Sequence, residues 1–592
     1  MYFKISRGSS ILIFITALYL LAIQYLTGAT NMLDPHRFTS PELAEVEVNR
    51  VKEEIKKYKS GEIDEEVWRR FRLENGVYGI RFQKDIQMIR VKVPYGLLTA
   101  EQMEALGEVS DLFANGIGHV TTRQDFQFHW VALDSVPELL RRMNDVGLTT
   151  REACGNTVRN VTACPLAGIS PDEIFDPTPY ADIIVRYFLR NPLNQNLPRK
   201  FKIALEGCHT DHAATGMHDI GIFAEKRIID GKEVKGFKIF AGGGLGPPPF
   251  AAQLLEDFTP VDKLLITCEA ILRVFDRLGE RGNPARARLK FVIMRLGVQE
   301  FRRIVLKERN LVYSTRAGDR LWKIEEFEDA PPSNLPQPSG KSYDNDEEFK
   351  RWKRTNVNTQ RQEGYYYAYV TLPAGDITTQ QFYALAKIAR KYTGGMLLTT
   401  RTQNLVFHWI RKDLLGDFYA DLKEAGLATY GADRILSVVG CPGADTCNLA
   451  VTHSHRLALE LHHQLVQKPE LVMAEDLKDI SIKVSGCPNS CGQHHIADIG
   501  FYGSGQRING RMAPYYTLLL GGSIGPGSVK FGQPVAKVPA RNVPDIIVKL
   551  LEIYRKNRKE GETFSEWVKR SQEEMGGEGL HGEVSVAGRA IQ

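Results

Sequence analysis

The sequence predicts an α+β protein built on a duplicated unit. Three observations point there: the length, an internal repeat, and the way strand-like and helix-like patterns alternate. At 592 residues the chain is too long for a single hydrophobic core and suits about three to five domains. The repeat is visible by eye. RVKVPYGLLTAEQMEAL from Arg90, followed by GHVTTRQDFQFHWVAL, returns as YVTLPAGDITTQQFYAL from Tyr369, followed by GGMLLTTRTQNLVFHWI. Pro94, Gly96, Thr99 and Gln102 match Pro373, Gly375, Thr378 and Gln381. Thr121-Thr122-Arg123 matches Thr399-Thr400-Arg401, and Phe128-His129-Trp130 matches Phe407-His408-Trp409.

Each copy reads as strand, turn, helix, strand. The strands Ile89 to Val93 and Val406 to Ile410 carry alternating β-branched and aromatic side chains. The helices begin after Thr99 and Thr378, whose hydroxyls suit the N-cap position. A larger mixed segment follows each copy. Residues 150–310 hold a strand near Phe201–Leu205, a Gly-rich turn AGGGLGPPP at 241–249 and a helix over 261–279. Residues 430–560 hold CPGADTC, a long helix from about Asn448 to Gln467, the strand ISIKV and then CPNSC. The stretch 329–345 is a linker by its Pro, Ser, Asn and Asp content. A helical extension (about 41–75) precedes the first copy, and a short Gly-rich tail ends the chain.

Composition is that of an ordinary globular protein, 43% hydrophobic and 25% charged, which leaves no reason to expect disorder or a fibrous repeat. A net charge of +5 is too small to argue for nucleic acid, yet suits an acidic protein partner. Eight cysteines in so long a chain are not a disulfide framework, and four of them form two close pairs near the C-terminus.

Those pairs, Cys441-x5-Cys447 and Cys487-x3-Cys491, are the sharpest chemical signal. Four thiolates suit a [4Fe–4S] cluster or a zinc ion, and the wide first gap disfavours zinc. Pro442 and Pro488 follow the first cysteine of each pair and fix a turn there. Gly486 and Gly492 flank the second pair and are expected to let backbone approach a bulky inorganic group.

C-x5-C followed by C-x3-C, with the second pair set in SGCPNSCGQ, resembles the signature of the sirohaem-dependent sulfite and nitrite reductases. The resemblance runs from about Phe71 to Arg555 and includes both copies of the repeat. It implies ferredoxin-like half-domains plus two larger mixed α/β domains that bind sirohaem and a [4Fe–4S] cluster. The implied divisions are an apolar segment at 1–31, a helical extension at 32–83, a half-domain at 84–150, and a sirohaem and substrate domain at 151–325. A linker at 326–357, a second half-domain at 358–428, a [4Fe–4S] and sirohaem domain at 429–570 and a tail at 571–592 complete the chain. Cys441, Cys447, Cys487 and Cys491 are implied as cluster ligands, with the Cys491 sulfur also the axial ligand of the sirohaem iron.

The implied reaction is the six-electron reduction of a small oxyanion, sulfite to sulfide or nitrite to ammonia. Such a site must neutralise the anion, hold it and deliver protons, work suited to Arg forks and Lys point charges. The family's basic constellation falls on Arg90, on Arg159 in NTVRNVTAC, and on Lys200 and Lys202 in LPRKFKIAL. Spaced by two on a strand, the lysines share one face. Lysine rather than asparagine at 202 directs the expectation to sulfite, with nitrite the alternative. Arg123, Arg199, Arg286, Arg288 and Lys290 are the candidates to meet the sirohaem carboxylates. Arg401, the repeat mate of Arg123, is read as structural or vestigial. The glycines of AGGGLG (242–246) and LGGSIG (521–525) resemble turns that lie against the cofactors.

The remaining cysteines and histidines read more simply. Cys164, Cys208 and Cys268 are small core residues. Cys154 lies near the expected cofactor, and in some family members such a cysteine is joined to a tyrosine, here Tyr78. His209, His212 and His218 are not read as a metal site, because no carboxylate-rich pocket is evident. His453/His455, His462/His463 and His494/His495 are helix-face or packing residues, His494 being close enough in sequence to support Cys491.

No flavin or nicotinamide domain is recognisable, since neither Gly run has the GxGxxG form after a strand. An external donor is therefore expected, a ferredoxin or a flavoprotein. The four basic residues oppose a non-catalytic Fe–S electron carrier, and the presence of both halves in one chain favours a monomer over a dissimilatory hetero-oligomer. Residues 10–29 form an apolar run of about membrane-spanning length behind Lys4 and Arg7. They read as an anchor or signal, or as untranslated sequence ahead of Met32. The lack of a twin-arginine pair favours the cytoplasm, with membrane contact only if this run is a true anchor.

Overall fold

The structure, a computed structural model, describes residues 37–315 and 330–574. The apolar run 10–29 and all but the start of the tail at 571–592 lie outside the described residues, as do 316–329 between the halves. Among the described residues no helix is long and apolar enough to cross a membrane.

The two copies of the repeat form two five-stranded sheets that exchange a strand. The first runs Val77–Gly79, Ile86–Val91, Phe126–Ala132, Ile117–Val120 and then Asp376–Thr378 from the second copy. The second runs Val357–Thr359, Tyr365–Val370, Leu405–Arg411, Met396–Thr399 and then Leu97–Thr99 from the first copy. Asp376, Ile377 and Thr378 pair antiparallel with His119, Gly118 and Ile117. Leu97, Leu98 and Thr99 pair with Leu398, Leu397 and Met396. The chain turns into each exchanged strand through a left-handed residue and a glycine, Tyr95-Gly96 and Ala374-Gly375. A Cβ on Gly96 would stand 2.7 Å from the Thr399 carbonyl, and one on Gly375 2.6 Å from the Val120 carbonyl, so the crossovers admit only glycine.

The helices that follow, Ala100–Leu112 and Thr379–Tyr392, both start with a full capping box, Thr99 with Gln102 and Thr378 with Gln381. This fulfils the N-cap reading. Buried apolar residues of both helices and both sheets form one shared core, with Met103, Leu106, Phe126, Phe382, Leu385 and Phe407 at its centre.

Duplication extends beyond the visible repeat. The segment after the first copy forms a sheet of Thr162–Ala163, Ile203–Glu206, Ile220–Ile229, Lys232–Ala241 and Gln253–Pro260. Its counterpart is Val439–Gly440, Ile482–Ser485, Ile499–Ile508, Arg511–Leu520 and Gln533–Pro539. In both the first two pairings are parallel and the rest antiparallel. Helices Leu264–Leu278 and Val543–Asn557 cover them, each sheet with its own core.

Three boundaries differ from expectation. The strand expected near Phe201 begins at Ile203, with Phe201 held in an isolated bridge to Val158. The helix expected from Asn448 starts at Ser454, because the Ala444, Val451 and Thr452 amides go to loop carbonyls at Thr452 and Gly486. The linker expected at 326–357 contains the helix Glu347–Asn356, capped by Asp346 and buried through Phe349 and Trp352 against Phe418 and Tyr419.

A polar cluster pins the exchanged strand. Asp376 accepts from His119 Nδ1 at 3.0 Å and lies 3.0 Å from His455 Nε2. The two histidines hold its carboxyl well below the usual range despite burial, and Asp376 raises the pKa of His455. The depressed carboxyl contributes stability above about pH 4 that is lost on acidification, and the raised imidazole contributes below about pH 6.5 that is lost as pH rises through its folded value. Asp376→Asn is therefore expected to destabilise by about 2 kcal/mol near pH 5.5. The deficit should shrink at pH 8.5, as read from urea midpoints at the two pH values. An equal deficit at both would show that the pair is not ionised.

Candidate active site and metal centre

The four cysteines sit at one end of the sheet that begins with Val439–Gly440 because two parallel neighbours deliver them. Cys441 follows the strand Val439–Gly440, and Cys487 follows Ile482–Ser485 after Gly486. Cys447 and Cys491 lie on the ensuing loops, Cys441 and Cys487 buried, Cys491 exposed. The Gly486 amide donates to Cys441 Sγ at 3.2 Å, and Ser454 Oγ lies 3.1 Å from the same sulfur. All the cysteines are free thiols. Cys441, Cys447 and Cys487 each feel the charge of Cys491, yet no three of the four sulfurs close to within 4.8 Å of one another. That is too open for one tetrahedral ion and fits thiolates at the corners of a multi-iron cluster.

The glycines here act differently from expectation. A Cβ on Gly492 would lie 2.2 Å from the Val484 carbonyl, and one on Gly486 2.9 Å from that of Thr452. They let protein loops pack on one another and so set the cysteine positions indirectly. Gly243 and Gly522 likewise pack against backbone, at 2.6 Å from the His218 amide and 2.5 Å from the Ala497 carbonyl, whereas Gly246 faces open space.

Across from Cys491 the basic residues converge. Arg90, Lys200 and Lys202 all lie within electrostatic reach of Cys491, and Arg159 and Arg199 within reach of Lys200. Phe201 is buried against Phe275, so the flanking lysines face the other way together, as the alternation predicts. Among the described residues neither lysine ammonium has a hydrogen-bond acceptor. Burial pushes Lys200 down to about 7 and Lys202 well below the usual lysine value, with Cys491 acting in opposition. Arg90 is held 3.8 Å from Asp125 and lies over the Tyr78 ring. Arg159 is fixed by the Gly155 and Ala153 carbonyls. Cys154 is buried beside Tyr78, and burial pushes its thiol up to about 11.

Arg123 is buried, with one donor on the Asn160 carbonyl and its Nε without a partner. Its pKa falls to about 9 through burial. Orphaned buried donors and unpaired ammoniums on one wall fit a polycarboxylate such as sirohaem, which supplies what they lack. The other candidates divide. Arg288 grips Asp219 with two hydrogen bonds, at 3.1 and 2.7 Å. Lys290 is engaged by the carbonyls of Gly244, Gly246 and Pro248. Arg286 is exposed over Phe291.

The turn hydrogen bonds re-pair the repeat. Gln124 N to Thr121 O and Thr121 N to Asp125 O correspond to Gln403 N to Thr400 O and Thr400 N to Asn404 O. Thr122, not Arg123, is thus the counterpart of Arg401: the turns 121–125 and 400–404 are equally long, and the two Thr-Thr-Arg triplets sit one residue out of step within them. Thr122 Oγ1 donates to the Cys491 carbonyl at 3.0 Å, and Arg401 Nε to the His212 carbonyl at 2.9 Å. His494 packs at a tilt against the rings of His495 and Tyr502, and His218 bonds the Ala214 carbonyl.

Sequence reasoning missed Thr122, Gln493 and Asp219. Gln493 bridges Arg401, Lys483 and the Thr122 carbonyl. Asp219 accepts from the Lys202 amide at 2.8 Å as well as from Arg288, just as Asp498 accepts from the Ser481 amide at 2.9 Å. The recurring Asp-Ile-Gly at 219–221 and 498–500 was the available signal.

Two family descriptions match the chain. "Nitrite and sulphite reductase 4Fe-4S domain" matches residues 154–311 and 431–586, and "Nitrite/Sulfite reductase ferredoxin-like half domain" matches 81–146 and 358–425. The chain is 31% identical over 493 residues to sulfite reductase [ferredoxin] 1 of Mycolicibacterium paratuberculosis, covering 82% of each. It is 29% identical over 500 residues to the assimilatory ferredoxin-dependent nitrite reductase of Haloferax mediterranei, again 82% of each. The solved structure of Mycobacterium tuberculosis NirA superimposes with a TM-score of 0.73 at 29% identity, covering 86% of this chain and 91% of that one.

Gly492→Ala is expected to overpack the Cys491 loop at a cost of about 1–3 kcal/mol and to lower the iron bound per chain, measured by atomic emission on purified protein. Unchanged iron would show that this glycine does not set the cysteine positions.

Proposed function

The chain belongs to the nitrite and sulphite reductase family, and we propose that it reduces sulfite to sulfide with electrons from ferredoxin. It is an oxidoreductase whose cofactors are sirohaem and a [4Fe–4S] cluster. When bound, these groups store electrons and offer an iron position for the anion. Cys441, Cys447, Cys487 and Cys491 would hold the cluster, and Cys491, the exposed member facing the basic wall, would also bind the sirohaem iron. Arg123 and Arg199 would meet sirohaem carboxylates directly, and Arg288 and Lys290 would shape the wall behind them.

The observation that carries this reading is the pair of half-buried, acceptor-free lysines within electrostatic reach of Cys491. A non-catalytic electron carrier has no use for them, because withdrawing unpaired ammonium groups part-way from water costs folding free energy. Lys200 and Lys202 would neutralise the oxyanion, and burial that loosens the Lys200 proton equips it to hand that proton to a departing oxygen. Arg90, fixed beside Asp125, and Arg159, fixed by two carbonyls, would orient the anion without moving. Two point charges suit doubly charged sulfite better than nitrite. Nitrite is the second reading, favoured by the similarity to the Haloferax enzyme.

Ferredoxin as donor rests on the names of the relatives and suits the net charge of +5. A monomer fits a chain that carries both halves, and the cytoplasm is the proposed location, with membrane contact only if residues 10–29 are a true anchor.

Lys202→Asn is expected to cut kcat/KM for sulfite by about 10–100-fold, equivalent to roughly 1.4–2.7 kcal/mol, and to affect nitrite less, in steady-state assays with reduced ferredoxin. An unchanged ratio would overturn the substrate assignment. Cys491→Ser is expected to lose both sirohaem absorbance and activity, and retention of both would remove Cys491 from its dual role.

A further inference from the structure

The duplication places a second cluster of metal-ligating side chains where the cysteine loops have their counterpart. Strand register defines the correspondence. Thr162 and Ala163 pair with Ala204 and Leu205 as Val439 and Gly440 pair with Lys483 and Val484. The next residue in each case is Cys164 or Cys441, and the amides of both donate to matched carbonyls, Leu205 and Val484. Beyond the second strand, Gly207-Cys208 matches Gly486-Cys487, and four residues later His212 stands where the other half has Cys491. The carbonyls of His212 and Cys491 receive equivalent hydrogen bonds, from Arg401 and Thr122. Ser170 takes the place of Cys447, both amides donating one turn back, to Leu166 and Gly443.

The contents of this second position are closed up. Cys164 Sγ lies 3.6 Å from Cys208 Sγ and 3.4 Å from His212 Nδ1, and His212 Nδ1 lies 3.8 Å from Glu206 Oε1. The four ligand atoms all fall within 4.8 Å of one another, unlike the four thiols of the other half. A tetrahedral ion with bonds of about 2.3 Å to sulfur and about 2.0 Å to nitrogen needs sulfur–sulfur and sulfur–nitrogen separations of about 3.8 and 3.5 Å. Cys164, Cys208 and Glu206 are buried, whereas His212 is partly exposed and gives a way in. Glu206 is held rigid by amides of Gly207, Cys208 and Ala213, each at 2.9 Å.

We propose that Cys164, Cys208, His212 and Glu206 bind one thiophilic metal ion, for which Zn2+ is the probe. Two S–H bonds break as two metal–sulfur bonds form, the protons pass to solvent, and no electron is transferred. The site is too tight for a cluster, since substituting His212 and Ser170 for two cysteines leaves room and donors for a single ion.

The test uses the full chain with its cofactors, reduced, exposed to Zn2+ and then desalted through chelator. Plasma mass spectrometry should find about one zinc per chain, and absorption at the zinc edge a shell with two sulfurs at about 2.3 Å. Cys208→Ser and His212→Ala should each lower retained zinc by about tenfold or more, while Cys268→Ser, a buried thiol on the covering helix, should retain it. Iron content measured in parallel shows that each variant is folded. Should Cys208→Ser not fold, His212→Ala at the partly exposed residue decides. Absence of zinc in the native chain, equal zinc in His212→Ala, or a four-sulfur shell from an emptied cluster site would overturn the proposal. So would a Cys164–Cys208 disulfide in unreduced peptides combined with no zinc uptake after reduction.

Discussion

The exchange of Leu97–Thr99 and Asp376–Thr378 between the two sheets is the constraint on which the remaining structure depends. It locks the halves so that a loop of one reaches the cysteine-bearing or histidine-bearing turn of the other. Thr122 from the first copy holds the Cys491 carbonyl in the second, and Arg401 from the second holds the His212 carbonyl in the first. Neither contact survives a small rotation between halves. Gly96 and Gly375 make the exchange possible, since any side chain there would strike the partner sheet's backbone.

A duplicated frame has become chemically one-sided through few substitutions. Asp219 and Asp498 make the same amide bond, but that amide belongs to Lys202 in one half and Ser481 in the other. By the same correspondence the position of Lys200 is held in the other half by Asp479. Cations therefore gather on the first half while the four thiols gather on the second, and the strand exchange brings the two collections face to face. Each half supplies what the other has lost.

Much of this was legible in the residues themselves. The capping Thr-x-x-Gln pairs, the alternation that sets Lys200 and Lys202 on one side of Phe201, and the paired cysteines each express a local rule that the structure obeys. The duplication of the larger domains was not legible, because buried strands such as Ile203–Glu206 and Ile482–Ser485 conserve only bulk and apolarity, leaving Asp-Ile-Gly as the trace. The thiol group around His212 was missed for a related reason. Its members come from two strands and a loop, and only parallel pairing brings Cys164 beside Cys208. The histidines that looked grouped, His209, His212 and His218, do not meet, and the residue match of Arg123 with Arg401 failed by one position because the Thr-Thr-Arg triplets are shifted by one residue within turns of equal length.

The shared edge strand also has a meaning for biosynthesis. When the first sheet emerges from the ribosome, its Ile117–Val120 edge has no partner until Asp376–Thr378 has been made. Unpaired edges invite association with other chains, so the nascent first half spends the synthesis of more than two hundred residues, at about 5–20 residues per second, as an open template. The cell must shelter that intermediate, and expression yield should track chaperone supply more closely than it tracks the stability of the finished protein.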